Sequence, residues 1–449
     1  MLLSGASHGL KTAVTVARKK VLIITYYWPP SGGAGVQRWV KFCKYLPDFG
    51  IEPIVLTVEN PTYPLLDETL TKDVSPELEV YRSKSIEPYS VFGKLTGKSK
   101  KEVSTPSTAF STEGGLIQKA GVWIRANFFI PDARIGWIKN ASSKAKQIIE
   151  NYDIETVITT GPPNSTHISG TKIKEWNPDL KWIMDMRDPW SKIFYNETLP
   201  RTALAQNIDE HLEQKALSKA DEVIVVSRHM AKLQDKIYRR DYQVLPNGFD
   251  HEDFPKVQYK HSNSKFTIKY VGSMTEPAIP HAFFRAISSL GDSEKAKLDL
   301  QFFGSYNYQV HHTIEEEYKI KYLVNFNGYI PHKEAKIEMQ NADLLLLVIP
   351  KSKHNKLILT GKLFDYIGAQ KPILYIGPKD GDAAKIIKDY GLGECFDYSE
   401  VDTLKIYLRK MMAKKTGTIQ TDNENLRDHP YSRYSLTRQL SRIINPEGE

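Results

Sequence analysis

Cysteine is nearly absent from this chain: its 449 residues contain two, Cys43 and Cys395. Two thiols so far apart build neither a disulfide framework nor a cysteine-based zinc site. Such scarcity fits a reducing, cytoplasmic compartment. Long hydrophobic runs are missing too. A membrane-spanning helix needs ~20 apolar residues, whereas the runs 21–24, 223–226 and 344–349 are strand-length. Charge of one sign is only slightly in surplus, with 61 Lys plus Arg against 53 Asp plus Glu and a net charge of +8. A surplus so diffuse argues against a nucleic-acid partner and fits an anionic ligand or an anionic membrane surface. At 41% hydrophobic and 25% charged residues, disorder, collagen and coiled coil are excluded as the main state. Residues 1–19 have no basic start and a broken apolar stretch, so they read as a disordered leader rather than a signal peptide.

Familiar catalytic signatures are also missing. There is no His-Glu-x-x-His pair and no Asp-x-Asp pair at a strand end. In Asp185-Met186-Arg187-Asp188 an extra residue and an arginine separate the acids, which suits a metal badly. Neither a metal nor a cofactor is expected.

What is present is rhythm. Strands are expected at 21–25, 53–57, 156–159, 182–186 and 222–226, with helices at 36–46, 141–150, 165–175 and 203–218. The rhythm restarts near residue 250. Strands follow at 266–271, 298–303, 323–326, 344–348 and 373–376, with helices at 280–290, 313–319, 331–340, 361–368 and 382–390. Strands apolar throughout and separated by helices indicate parallel sheets covered on both faces. The expected class is therefore α/β, with two Rossmann-like domains. The boundaries are 20–248 for the first, carrying a mobile insertion at 84–139, and 249–420 for the second. A tail and helix at 421–449 are expected to return to the first domain. All seven tryptophans lie at or before Trp190, so the two halves have different surface roles.

Six motifs fall where strands end. Trp28-Pro29-Pro30-Ser31-Gly32-Gly33-Ala34-Gly35 precedes a helix, and its glycines let the backbone approach a ligand. A plain strand-to-helix turn is the alternative. Gly161-Pro162-Pro163-Asn164-Ser165-Thr166-His167 puts His167 in a first helical turn near the sheet's carboxyl edge, where open α/β sheets bind ligands. The alternative is a satisfied surface histidine. In Met184-Asp185-Met186-Arg187-Asp188-Pro189-Trp190, Asp185 and Asp188 are candidates to orient hydroxyls or accept a proton. An Arg187–Asp188 ion pair that fixes the loop is equally consistent. Pro246-Asn247-Gly248-Phe249-Asp250 lies between the halves, where a hinge is required. Gly272 and Ser273 form a small-residue turn after the second half's first strand. Gly361-Lys362-Leu363-Phe364-Asp365 opens a helix: its N–H groups and Lys362 suit a diphosphate, and Asp365 suits a ribose diol. A capped surface helix is the alternative.

The order of these motifs is more specific than any one of them. Tyr-x-Pro-Pro with Gly-Gly-x-Gly-Val-Gln-Arg, then Gly-Pro-Pro-x-Ser-x-His, Asp-x-Arg-Asp-Pro-Trp, Pro-Asn-Gly-Phe-Asp, Tyr-Val-Gly-Ser and Gly-Lys-Leu-Phe-Asp-Tyr resemble bacterial glycosyltransferases of the family-four type, over roughly residues 20–445. The resemblance implies the B-type glycosyltransferase fold, two Rossmann-like domains facing across a cleft. It further implies a nucleotide-diphosphate sugar bound mainly by the second domain and a saccharide or lipid-linked acceptor bound by the first. Metal independence and retention of configuration are implied as well; a non-catalytic nucleotide-sugar-binding scaffold and a sugar-nucleotide epimerase of the same architecture are the alternatives. By motif, Gly32, Gly33 and Gly35 form the cleft loop with Arg187 on the acceptor side. His167, Asp185 and Asp188 are the catalytic candidates. Gly272, Ser273, Gly361, Lys362 and Asp365 hold the donor. Three positions depart from the family. Asp365 stands where it usually has glutamate, Leu357 replaces the first glutamate of its pair, and Thr275-Glu276-Pro277 replaces a Lys-Gly pair.

Residues 116–139 add a last expectation. Trp123, Phe128 and Phe129 beside Arg125, Arg134 and Lys139 suit an interfacial helix in peripheral contact with anionic lipid, helped by Lys94, Lys98, Lys100 and Lys101. Packing of these aromatics onto the first domain is the alternative.

Overall fold

The computed structural model describes residues 18–59, 66–86, 116–193, 196, 199–255, 265–414 and 425–447. The leader at 1–17, residues 87–115 with the four lysines above, and 415–424 lie outside the described residues.

The first half alternates strands and helices in the order β1 (Lys19–Ile24), α1 (Ala34–Tyr45), β2 (Ile51–Val58), β3 (Glu79–Ser83), α2 (Leu116–Phe128), α3 (Ile138–Tyr152), β4 (Thr156–Gly161), α4 (Ser165–Trp176), β5 (Lys181–Met186), α5 (Ala203–Lys219), β6 (Glu222–Val225), α6 (Arg228–Asp235) and β7 (Gln243–Val244). The second half continues with β8 (Phe266–Val271), α7 (His281–Ser288), β9 (Leu298–Phe303), β10 (Val324–Phe326), α8 (His332–Gln340), β11 (Leu344–Val348), α9 (Gly361–Gly368), β12 (Ile373–Ile376), α10 (Asp382–Asp389), β13 (Gly393–Phe396), α11 (Val401–Ala413) and α12 (Arg433–Ile444).

Two parallel sheets result. One runs β3-β2-β1-β4-β5-β6-β7 and the other β10-β9-β8-β11-β12-β13. Their centres are apolar through and through: β11 is Leu-Leu-Leu-Leu-Val with every residue buried. Leucine is a good helix former, but this run is flanked by β8 and β12 and has no polar face to offer water, so sheet context overrides propensity. In each sheet the strand order reverses once, between β1 and β4 and between β8 and β11. Loops at the carboxyl ends of such strands form a crevice, and the six motifs sit there or beside it.

Strands β3, β7 and β13 were not legible in the sequence. They are edge strands: β7 is exposed and only two residues long, and β3 is half-buried. Residues 313–319, expected as one α-helix, continue a short helix at Tyr308–His312 through a wider π turn at Thr313–Glu317.

The chain crosses between the sheets twice, and the crossings lie side by side. Phe249 donates its amide to the Tyr431 carbonyl at 3.1 Å, and Arg433 donates to the Phe249 carbonyl at 2.7 Å. Gly248 is required by this contact, since a Cβ there would lie 2.4 Å from the Tyr431 carbonyl oxygen. Beyond it α12 packs Leu436, Leu440 and Ile444 into the same core as Trp39, Phe42 and Leu46 of the first half. The segment expected as a hinge is tied to α1. Asp250 accepts from Lys41 at 2.7 Å and from the Tyr45 hydroxyl at 2.6 Å. The halves also touch directly: the Ser227 hydroxyl donates to the Leu357 carbonyl at 3.1 Å, and the His229 amide and ring reach the Asp382 carboxylate, each at 2.9 Å.

Candidate functional site

At the edge of the first sheet, Arg187 draws three motifs together. Its Nε donates to the Gly161 carbonyl at 3.0 Å and its Nη2 to the Pro162 carbonyl at 2.6 Å. Its Nη1 lies where a side chain on Gly35 would be, 1.1 Å from that Cβ position, so only glycine admits the guanidinium. Gly33 precedes α1 with φ of 110°, a conformation that favours glycine. The part-exposed Gly32–Gly33 segment, the Gly161 loop and the loop after β5 thus share one wall.

The three catalytic candidates have different fates. Asp188 is exposed and makes no hydrogen bond or ion pair among the described residues. The bonded Arg187–Asp188 alternative is therefore not what forms. Although open to solvent, the carboxyl is raised above its ordinary range, because surrounding protein removes part of its hydration and Arg187 only partly offsets this.

Asp185 requires correction. It is fully buried and accepts from Arg38 Nη2 at 2.9 Å, Trp39 Nε1 at 2.8 Å and Thr160 Oγ1 at 2.9 Å. Burial alone would raise its carboxyl; the Arg38 guanidinium and these bonds hold it below the usual carboxylate range. Arg38 passes the restraint on, donating to the carbonyls of Leu245 at 3.0 Å and Pro246 at 2.8 Å. Asp185 thus anchors the crossing segment from the interior, with no exposure to solvent. Arg38 was visible only as the end of Gly-Val-Gln-Arg.

His167 is corrected as well. It is fully buried, with Nδ1 2.9 Å from Thr159 Oγ1. Its Nε2 has no partner and abuts Gly161, where a Cβ would lie 2.5 Å away. Burial pushes the imidazole down to about 3, so it is neutral at physiological pH. A ring sealed from solvent and this weakly basic is poorly suited to take a proton from an acceptor. His167→Gln is expected to cost about 1 kcal/mol of stability through the Thr159 bond. Urea unfolding checks this, with turnover expected near the wild-type value.

At the edge of the second sheet the donor candidates converge. Lys362, on the first turn of α9, stretches over the turn after β8. Its Nζ donates to the Tyr270 hydroxyl and to the Ser273 carbonyl at 3.2 Å, and lies 4.1 Å from the Tyr270 ring centroid. Gly272 makes room for it: φ is 129°, and a Cβ would lie 2.3 Å from Lys362 Cε. Burial pushes the ammonium down to about 8. Beside Gly361 the space is open. The first turn of α9 has no acidic residue and no side-chain cap, and the Thr360 hydroxyl is buried without a partner. This helix end is electropositive and unneutralised by the protein. Tyr270, which steers Lys362, was visible only as the first residue of Tyr-Val-Gly-Ser. Asp365 lies one turn further on, 27% exposed, and forms an ion pair with buried Lys336.

Two parallel-sheet Rossmann-like domains facing across such a cleft constitute the B-type glycosyltransferase fold. No protein-family model and no curated protein sequence matches the chain. Solved structures do. A sucrose-phosphate synthase from Thermosynechococcus elongatus superposes with a TM-score of 0.61 at 13% identity, covering 96% of this chain and 99% of its own. A lipopolysaccharide outer core galactosyltransferase gives 0.56 at 12% identity, covering 95% and 99%. A putative UDP-N-acetylglucosamine 2-epimerase from Listeria monocytogenes gives 0.51 at 10% identity, covering 95% and 96%. At these identities the likeness establishes the fold, and function rests on the site.

Proposed function

We propose that the protein is a metal-independent glycosyltransferase. It moves a sugar from a nucleotide-diphosphate donor to a saccharide or lipid-linked acceptor in surface polysaccharide assembly. One observation carries the reading: an uncapped, acid-free helix start with Lys362 beside it, folded over the Gly272–Ser273 turn. In this reading the α9 N–H groups and Lys362 take the developing charge of the departing diphosphate, a task otherwise given to a metal. Asp365 reads the ribose. Asp188 takes the proton of the acceptor hydroxyl, with Arg187, Gly32, Gly33 and Gly35 shaping that side.

Titration calorimetry with nucleoside diphosphates tests it. Lys362→Ala is expected to weaken binding about tenfold to hundredfold, the value of one charge-assisted contact of roughly 1.5–3 kcal/mol. Wild-type affinity is expected to fall as pH rises through about 8, where the lysine loses its proton. Unchanged affinity in the variant would reject the donor site. Incubating nucleotide sugars without an acceptor separates the epimerase alternative, which predicts an inverted sugar still attached to the nucleotide.

Peripheral membrane contact through residues 116–139 belongs to the same reading. On α2, Val122 and Ala126 face inward, as does Ile130 just beyond it, while Trp123, Ile124 and Phe128 are exposed at 44%, 46% and 69%. Phe129, expected outward, is half-buried. Among the described residues no helix is long and apolar enough to cross a membrane. Flotation with anionic vesicles is expected to carry the protein at low salt, and to do so poorly after Trp123→Ala with Phe128→Ala. Full recovery of wild type in the soluble fraction would reject the contact.

A further inference from the structure

Helix α5 turns two carboxyls into the protein, Asp209 and Glu213, one helical turn apart and both buried. Each holds the loop after β5, which carries Asp188. Asp209 accepts from Trp190 Nε1 at 2.7 Å, and Glu213 accepts from the Ser191 amide at 3.1 Å. We infer that Glu213 is a positioning residue whose proton decides how firmly this loop is seated on α5. The consequence for turnover rests on the transferase reading, in which Asp188 takes the acceptor proton.

Charge compensation is the first argument. Asp209 is paired with Arg201 at 2.7 Å. Glu213 forms no ion pair among the described residues. Two buried carboxyls thus share one cation, and that cation is committed to Asp209. Ionising both would place an uncompensated buried charge beside another of like sign, so their protonation is driven apart. The groups on the surrounding elements bring no relief. Gln234 of α6 is neutral, and Tyr242 donates its hydroxyl to the Tyr238 carbonyl at 2.7 Å. Arg240 is engaged by the Leu217 and Ala220 carbonyls, and Lys192 by Glu210. Burial lifts the Glu213 carboxyl to about 7; contacts with Ser191 and Gln234 offset part of the rise, and Asp209 adds to it.

Position is the second argument. Asp188 precedes Ser191 by three residues, which bounds their Cα separation at about 11 Å. Between them Trp190 is buried, its ring centroid 6.0 Å from that of His167 on α4. The loop therefore has two attachments to α5 close behind Asp188. One is the Trp190 side chain on an acid that has its cation; the other is the Ser191 amide on an acid that has none.

In the seated loop Glu213 titrates near 7 rather than at its ordinary 4.5. By linkage, seating is strongest below about 4.5, weakens as pH rises, and levels off above about 7, where the carboxyl is ionised whether the loop is seated or not.

Glu213→Gln keeps the side chain's shape and an acceptor for the Ser191 amide, and removes the titration. Melting temperatures of wild type and variant are expected to coincide near pH 4.5, with the variant the higher above pH 7. Hydrogen exchange of a peptide spanning residues 188–193, corrected for intrinsic rates, reads the loop itself. Wild-type protection is expected to fall across this window by up to about a hundredfold, each pH unit being a factor of ten, while the variant's stays level. Initial rates with an acceptor pool are expected to show the acceptor KM rising with pH in wild type and flat in the variant, at equal nucleoside-diphosphate affinity. Parallel melting curves, or wild-type protection that does not change with pH, would overturn the inference. Should the variant fail to fold, wild-type protection alone decides. If only the KM arm fails, the acceptor-side reading of Asp188 falls and the proton-dependent anchor stands.

Discussion

Asp188→Asn is expected to lower turnover by ~10²–10⁴-fold, the usual contribution of a positioned general base. Its melting temperature and nucleoside-diphosphate affinity should stay at wild-type values. The side chain is exposed and holds no partner among the described residues, so its removal breaks no internal bond. Lost hydration raises its carboxyl above the ordinary value of about 3.9. Activity should accordingly decline as pH falls through a value higher than that of a free aspartate. Initial rates of nucleoside-diphosphate release with an acceptor pool measure both effects. A lowered melting temperature with specific activity intact would assign Asp188 to structure instead.

Asp185→Ala is expected to act the other way, costing about 3–5 kcal/mol of stability, because it leaves the Arg38 guanidinium charged and unpaired in the interior. Urea denaturation reads this loss. The folded carboxyl lies below its unfolded value. Its contribution is therefore fully present above about 3.9 and is lost as pH falls through the folded value. Wild type and variant should converge in that acid range. A variant as stable as wild type at neutral pH would refute the anchoring role.

These two acids illustrate what a sequence can and cannot reveal. Both lie at the end of one apolar strand, three positions apart, and local pattern gives no reason to separate them. The distinction comes from Arg38, 147 positions away, which packs over the inner one and turns it into a fastening. His167 has a similar history. Its place at a helix start near the sheet edge was legible, but its seal against Gly161 and Trp190 depends on how α4 settles on the sheet. The central strands were legible because a parallel strand buried on both faces must be apolar throughout. Edge strands such as β7 obey no such constraint, and their short or mixed segments resemble loops.

The sequence by itself determined the α/β class, the two halves, and a glycine-led helix start with Lys362 suited to a diphosphate. All follow from local rules: apolar periodicity, the free N–H groups of a helix end, and glycine where backbone must come close. Only the tertiary structure decided which carboxylate stays exposed to solvent and that the Arg187 guanidinium lies where a side chain on Gly35 would be. Those facts depend on contacts between residues distant in the chain, and burial, charge compensation and steric fit at such contacts exist only once the chain has folded.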